Sequence, residues 1–273
     1  MSFLDLFKKK KKGGAERASN IIVDKNSHSS TVECYNRLKD NILYLNLDNK
    51  VKVIQVESAI SGEGKTTLIC NLAVSLAQNE KKVAIIDLDF RKPRVHRTFD
   101  IENEDGISEF LMDKITKEQL IKKSKYNVDV INRGGKITNA SLALTCSKFV
   151  NLMQTLRDEY DFVLVDAPPV LQISDYVNIS RVTDGVIFVA AAGYTKRNQV
   201  REAFAEMRKN KVKVLGTVMT FVKKSNGYAK YYNYYGHKYY YYGSSYYDYV
   251  DKEDLEEPQT QQEEVSELQQ DKE

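Results

Sequence analysis

The chain has 273 residues, enough for one domain of about 200 residues with a hydrophobic core, together with tails. Hydrophobic residues make up 42% and charged residues 29%, which is ordinary for a soluble globular protein. No apolar run reaches the roughly 18–20 residues that a membrane span requires. The opening MSFLDLFKKKKK is not a secretory signal, because its apolar part is short and precedes its basic part. We therefore expect a cytoplasmic protein.

The net charge of +3 hides a contrast between the two ends of the chain. Lys8–Lys12 is a basic run, whereas the last 26 residues hold 11 acids against 2 lysines. Cys34, Cys70 and Cys146 are odd in number and far apart, and no CxxC or Cys/His metal spacing occurs. This usage predicts free thiols in a reducing compartment.

Composition divides the chain into three regions. Residues 1–20 are predicted to be a flexible basic arm, and residues 21–222 one α/β domain. Residues 223–273 are predicted to be a disordered tail, because the segment 223–250 holds 12 of the 18 tyrosines among Gly, Ser, Asn and Lys, and the remainder is acidic and Gln-rich.

Within the domain, apolar strands alternate with helical patterns. The spacing predicts a helix over 31–47, then a strand at Val51–Glu57, a helix at Lys65–Asn79 and a strand at Lys82–Leu88. After a mixed stretch with short helices, further elements are predicted at Val128–Asn132, Ser141–Arg157, Asp161–Asp166, Ser174–Val182, Gly185–Ala191, Thr195–Asn210 and Val212–Val222. Strands that are apolar on both faces and separated by helices indicate a mostly parallel sheet with helices on both faces and right-handed crossovers.

The segment from Ala59 to Thr67 matches the phosphate-binding loop GxxxxGK[ST], except that Ala59 replaces the first glycine. An apolar strand precedes it and a helix follows it, so its backbone N–H groups and the helix N-terminus would face a phosphate. Lys65 is placed to reach the β- and γ-phosphates, and the Thr66 hydroxyl to bind Mg²⁺. The candidate nucleotide-binding residues of this loop are Ser61, Gly62, Glu63, Gly64, Lys65, Thr66 and Thr67. These features predict a P-loop NTPase fold.

Two further strands end in aspartates, where ligands bind in open parallel sheets. Asp87 and Asp89 follow one strand, in the segment Asp87–Pro93, and alternation would place both on one side. Asp166 ends the strand Phe162–Asp166 and is a candidate Mg²⁺ ligand. With Lys65 and Thr66 these acids predict a Mg–ATP site. Arg91, a candidate nucleotide-binding residue, and Lys92 either hold phosphate or the incoming substrate, or form a solvated basic turn. The eukaryotic kinase motifs HRD and DFG are absent from the sequence.

These motifs resemble the bacterial tyrosine kinases of capsule and exopolysaccharide synthesis, in the separate cytoplasmic form found in Gram-positive bacteria. The resemblance rests on the phosphate loop, on the DxDxRKP pattern of Asp87–Pro93, on Phe162–Asp166 and on the tyrosine cluster, and it covers nearly everything from Ile21 to the tail. It implies a P-loop fold, ATP and Mg²⁺ as cofactors, and autophosphorylation of the tail. The candidate acceptors are Tyr228, Tyr231, Tyr232, Tyr234, Tyr235, Tyr239, Tyr240, Tyr241, Tyr242, Tyr246, Tyr247 and Tyr249.

The resemblance also implies partners. Family members of this form use a membrane-anchored polysaccharide co-polymerase as activator, which recruits them to the inner face of the membrane, together with a cognate tyrosine phosphatase. The family pattern E-x-x-R-x-x-R-T-N-I mediates ring assembly; Glu33, Asn41 and Ile42 match it, Lys39 keeps the charge, and Asn36 and Asp40 depart from it. Thr220 stands where related ATPases often carry the Asn that reads adenine. No nucleic-acid partner is implied, and Lys8–Lys12 is either a contact to anionic lipid or a solvated basic tail.

The chemistry leaves alternatives open. A tyrosine hydroxyl has a pKa near 10 and needs a proton acceptor, for which Asp87 is the first candidate and Asp89 the second. The rival functions are a positioning or partition ATPase that uses water as acceptor, and a non-enzymatic scaffold for polysaccharide export whose ATP site only switches assembly. The tail alone is also compatible with an aromatic segment that stacks on sugars or nucleic acid.

Overall fold

The computed structural model describes residues 21–23, 29–48 and 50–222. The predictions for the arm at 1–20, for Lys8–Lys12 and for the tyrosines and acids of 223–273 lie outside the described residues. The three cysteines are free, as the sequence predicted: Cys34 is exposed, Cys70 is buried and Cys146 is partly buried.

The elements follow one another in the alternating order expected from the sequence. In chain order they are α1 (Ser30–Leu45), β1 (Val53–Ser58), α2 (Lys65–Gln78), β2 (Val83–Asp87), α3 (Val95–Thr98), α4 (Ile107–Leu111), α5 (Lys117–Leu120), β3 (Lys122–Lys123), β4 (Val128–Ile131), α6 (Ala140–Thr145), α7 (Ser147–Glu159), β5 (Phe162–Asp166), α8 (Asp175–Ser180), β6 (Gly185–Ala191), α9 (Arg197–Lys209) and β7 (Val214–Thr220).

The strands form one sheet in the order β3-β4-β2-β5-β1-β6-β7. Every pairing is parallel except that of the two-residue strand β3 with β4, which is antiparallel. The mostly parallel sheet is therefore confirmed. β1, β2 and β5 are buried along their whole length; β2 and β5 are apolar up to their final aspartates, whereas β1 carries buried Gln55 and Glu57 on one face. They are also neighbours in the order β2-β5-β1, so their carboxyl ends meet at one edge.

Helices cover both faces of the sheet, as predicted. On one face α2 packs Leu72 and Leu76 against Ile54, and Ile42 of α1 joins the same core. On the other face Phe149 of α7 packs with neighbouring strand residues. α9 contributes Ala203 and Met207 to a third cluster around Phe188.

The predicted single helix Ser141–Arg157 is wrong, because the structure has two helices there. Cys146 adopts an extended conformation (φ −70°, ψ 148°) that ends α6 and begins α7. Leu144 and Phe149 are both fully buried. In one continuous helix, side chains five positions apart would point about 140° away from each other. The break lets both side chains enter the core.

Candidate nucleotide and phosphotransfer site

The candidate site lies at the carboxyl ends of β1, β2 and β5. The loop between β1 and α2 runs from Ala59 to Gly64. Its glycines Gly62 (φ 93°) and Gly64 (φ 87°) adopt the left-handed backbone that side chains disfavour. Ala59, the departure from the usual motif, is not among the residues with left-handed backbone, and its side chain is buried. An alanine therefore fits where the motif usually has glycine.

Glu63 shapes the loop from inside. Its carboxylate accepts hydrogen bonds from the backbone N–H of Ile60 (2.6 Å) and from the Thr195 hydroxyl. Its carbonyl oxygen accepts a hydrogen bond from the Thr220 hydroxyl at 2.7 Å. Glu63 is fully buried, so its carboxylate stabilises the loop conformation and is not in contact with solvent. Thr220, noted in the sequence at the adenine-reading position, thus ties β7 to the loop.

Two exposed aromatic side chains flank the loop and were not predicted. The Tyr194 hydroxyl donates to the carbonyl oxygen of Ser61 at 3.1 Å. The Phe221 ring lies against Gly64, where an added Cβ would stand 3.6 Å from it. Both residues follow strands of the sheet, after β6 and β7. Their position at the carboxyl edge was the one sequence signal for them, since nothing in their local pattern indicates a ligand.

The catalytic candidates Lys65, Thr66 and Asp166 meet at the start of α2. The Lys65 ammonium donates to the Ser58 hydroxyl at 3.0 Å. The Thr66 hydroxyl donates to Oδ2 of Asp166 at 2.6 Å, while the buried Oδ1 of Asp166 has no hydrogen-bond partner among the described residues. Burial raises the pKa of Asp166 to about 6, against the attraction of Lys65 and the Thr66 hydrogen bond. A hydroxyl oxygen beside an unpartnered buried carboxylate oxygen is a donor set that fits Mg²⁺.

Asp87 and Asp89 occupy different surroundings, because β2 ends at Asp87 and the chain then turns. Asp87 is fully buried; its Oδ2 accepts from the backbone N–H groups of Arg94 (2.9 Å) and Val95 (3.0 Å), and its Oδ1 from that of Asp89 (3.2 Å). Burial, and then repulsion by Asp166, raise the pKa of Asp87 well above its usual range. Asp89 is only partly buried, and its Oδ1 accepts from the backbone N–H groups at 91 and 92. The two acids therefore do not present themselves equally to a ligand.

A cavity of about 340 Å³ opens above the phosphate loop. Besides the loop residues it is lined by Asp89, Lys92, Arg94, Arg97 and Thr98. The structure thus brings Asp89 and every predicted loop residue from Ser61 to Thr67 to one cavity. Asp87, Asp166 and Arg91 are not in its lining. The basic side chains at 94 and 97 were not singled out from the sequence, although they follow the RKP segment directly.

Similarity to known proteins gives the class first. Residues 51–215 match the family described as "AAA domain". The cell division ATPase MinD of Pyrococcus furiosus is similar with a TM-score of 0.54 and 23% identity, over 64% of this chain and 74% of that chain, which shows the fold alone. Together with the loop geometry, these matches define a P-loop nucleotide-binding protein.

Relatives that align over nearly their whole length identify the family more narrowly. "Tyrosine-protein kinase YwqD" of Bacillus subtilis is 34% identical over 81% of this chain and 94% of that protein. "Putative tyrosine-protein kinase CapB" of Staphylococcus aureus is 32% identical over 78% and 95%. Among solved structures, "the chimerical protein CapA2B2" has a TM-score of 0.72 at 31% identity, over 75% of this chain and 91% of that chain.

The chain belongs to the family of bacterial tyrosine-protein kinases. This membership confirms the resemblance inferred from the Asp87–Pro93 motif and the tyrosine cluster, and with it the expectation of a protein-tyrosine kinase that binds a nucleotide. The positioning ATPase considered as a rival matches only at the level of the fold. Within the described residues, no helix is long and apolar enough to cross a membrane.

Proposed function

We propose that this protein is a Mg–ATP-dependent autokinase that transfers the γ-phosphate to the tyrosines of its own tail, residues 228–249. The observation that supports this most directly is the pair of Thr66 and Asp166, held at 2.6 Å with the second carboxylate oxygen unpartnered beside Lys65. Those atoms fit a divalent cation next to a phosphate loop. The tyrosine cluster then supplies an acceptor within the same chain.

The residues of the site have separate roles in the transfer of the γ-phosphate. The tyrosine oxygen forms a bond to the γ-phosphorus, the bond to the β-phosphate oxygen breaks, and ADP leaves. Lys65 stabilises charge on the phosphoryl oxygens, and Thr66 and Asp166 would hold Mg²⁺, whose positive charge serves the same end. The phenolic proton passes to a carboxylate. We infer that Asp89 accepts it, because Asp89 lines the cavity whereas both oxygens of Asp87 already accept backbone N–H groups.

We infer further that transfer runs between neighbouring subunits. Self-assembly raises the effective concentration of tails near active sites. Glu33 and Asn41 of α1, two positions of the family's assembly pattern, are exposed on the surface of the helix.

Phosphorylation is then expected to reverse the assembly. Each phosphotyrosine adds roughly −1.5 to −2 charges, so phosphorylated tails repel one another and the acidic terminus, and the assembly dissociates. A sizing experiment before and after ATP tests this, and an unchanged mass contradicts it.

The cellular role that fits this chemistry is control of capsular or exopolysaccharide synthesis and export. We propose a cytoplasmic kinase that a membrane-anchored co-polymerase activates and recruits to the inner face of the membrane, and that a cognate tyrosine phosphatase reverses. Membership of the tyrosine-kinase family supports this role, and so does the likeness to the chimerical CapA2B2.

One experiment separates this function from its rivals. The full chain is incubated with Mg–ATP labelled at the γ-phosphate, and both free phosphate and protein phosphotyrosine are measured. The proposal expects phosphotyrosine that is absent in Lys65→Met. Free phosphate without phosphotyrosine would identify a positioning-type ATPase, and neither product would identify a scaffold that only binds ATP.

A further inference from the structure

A second cavity, of about 360 Å³, adjoins the one above the phosphate loop, and we call it the basic cavity. Its lining is strongly cationic. The charged or titratable side chains in it are Arg91, Lys92, Arg94, His96, Arg97 and Arg133. Such a concentration of positive charge in a concave site attracts anions.

Among the described residues, these cations lack close acidic partners: no ion pair within 4.0 Å involves any of the five arginine and lysine side chains. Arg133 donates to the carbonyl oxygens of Phe90 and Gly134 at 3.1 Å, contacts that orient its guanidinium without neutralising it. The Nδ1 atom of His96 is buried and has no hydrogen-bond partner in the part of the chain that the structure describes, and burial together with Arg97 and Arg133 lowers the pKa of this histidine. The basic cavity is thus a positively charged site that favours the binding of an anion.

ATP accounts for only part of this charge. Lys92, Arg94 and Arg97 line both cavities, so the phosphates of a nucleotide bound at the loop would use their charge. Arg91 and Arg133 line the basic cavity alone. Arg91 is partly compensated by Asp175, since its charge counteracts the rise that burial causes in the pKa of Asp175. Arg133 makes no ion pair within 4.0 Å among the described residues. Because the two cavities share Lys92, Arg94 and Arg97, an anion bound in the basic cavity would lie next to the cavity that Asp89 lines. Since an extended chain advances about 3.3–3.6 Å per residue, such an anion belongs to a residue a few positions from the reacting tyrosine.

The tail offers anions beside only some of its tyrosines. Asp248 and Asp251 lie within five residues of Tyr246, Tyr247 and Tyr249, and Glu253 and Asp254 lie within five residues of Tyr249 alone. No acid lies that close to any tyrosine from 228 to 242. Acceptors upstream therefore acquire a neighbouring anion only after another tyrosine has been phosphorylated.

We propose that the basic cavity binds an anionic side chain of the acceptor segment, first a carboxylate and then a phosphotyrosine, so that phosphorylation begins at Tyr246–Tyr249 and proceeds toward Tyr228. This inference rests on the proposed function. Carboxylate and phosphate share the chemistry that arginine recognises through charge-assisted, bidentate hydrogen bonds. Each new phosphate then serves as the anchor for the next tyrosine upstream.

The test uses the full chain carrying Lys65→Met as acceptor, a catalytic amount of the wild-type chain as enzyme, and Mg–ATP. Mass spectrometry follows the occupancy of each tyrosine with time. We expect early phosphate at Tyr246–Tyr249. When Asp248→Asn and Asp251→Asn are combined in the acceptor, we expect a decrease of about tenfold in the initial rate at Tyr246 and Tyr247, which then have no acid within five residues. The matched control, Glu256→Gln with Glu257→Gln, removes the same charge farther from the tyrosines and leaves the rate unchanged.

A variant of the enzyme, paired with the same two acceptors, completes the test. With Arg133→Gln as enzyme, the native acceptor and the Asp248→Asn/Asp251→Asn acceptor react at equal rates, because the shared contact is gone. If this variant does not fold, the acceptor comparison alone decides. Phosphotyrosine that forms in no order, or that is indifferent to Asp248 and Asp251, overturns the inference and leaves the kinase activity standing. No phosphotyrosine at all overturns the proposed function, and this inference with it.

Discussion

Asp166→Asn is expected to make the metal-free protein more stable while abolishing its phosphotransfer. Asp166 is 1% exposed, and it stands opposite Asp87 in the pairing of β2 with β5. Burial raises its pKa from 3.8 to about 6. A shift of about two units corresponds to about 3 kcal/mol, which the ionised carboxylate costs the folded state at pH 8. Asparagine keeps the shape and can still accept the Thr66 hydrogen bond without carrying that charge.

The sign of the pH dependence follows from the direction of the shift. A carboxyl whose folded-state pKa is raised binds its proton more tightly in the folded state, so stability falls as the pH rises from about 4 to about 6 and is flat above that range. The gain from Asp166→Asn is therefore about 3 kcal/mol at pH 8 and about half of that at pH 5. Because Asp87 lies so close, the observed titration belongs to the pair of acids.

The assay combines urea denaturation without Mg²⁺ at pH 5 and pH 8 with phosphotyrosine formation under Mg–ATP. We expect activity to fall by more than about 100-fold, because a metal ligand is lost. The control is Asp129→Asn: this buried carboxylate accepts from the Tyr160 hydroxyl and pairs with Lys123, both at 2.6 Å. It should lose about 1–3 kcal/mol of stability and keep its activity. An Asp166→Asn variant that is no more stable at pH 8, or that remains active, refutes the reasoning.

Two further comparisons test the site. Asp89→Asn should lower the rate of phosphotransfer without lowering the stability. Asp87→Asn should chiefly change the folding stability, because the Asp87 carboxylate accepts hydrogen bonds from backbone N–H groups of the turn before α3. Equal losses of rate in both variants, measured at saturating ATP, would contradict the assignment of Asp89 as base. Gly64→Ala and Gly193→Ala both force alanine into left-handed backbone, at a cost of about 1–2 kcal/mol. Only Gly64 lies in the phosphate loop, so only Gly64→Ala should weaken ATP binding measured by calorimetry. Equal affinities of the two variants for ATP would exclude a role for the loop geometry.

Much of the fold and the site was predictable because the signals are local. The strands ending at Asp87 and Asp166 are short apolar runs, and the phosphate loop carries its own glycines and Lys65. The unequal positions of Asp87 and Asp89 were not predictable. Alternation holds only within a strand, and the chain leaves β2 at Asp87 to let its side chain cap the turn that follows.

Other features depend on contacts between distant residues. Tyr194 reaches Ser61 across 133 positions, and the Thr220 hydroxyl reaches the Glu63 carbonyl across 157. The basic cavity likewise gains Arg133 from beyond β4, far from the RKP segment. No local periodicity carries such information, since it arises when parallel strands bring their carboxyl ends to one edge.

The central claim is that the site around Lys65 transfers phosphate to tyrosines of the tail. The most direct measurement is the intact mass of the full chain before and after incubation with Mg–ATP, followed by mapping of the modified residues. We predict added phosphoryl groups confined to tyrosines of 223–250, lost in Lys65→Met and restored when active chains are mixed with it. ATP turnover with no gain in mass, or modification that persists in Lys65→Met alone, would contradict it.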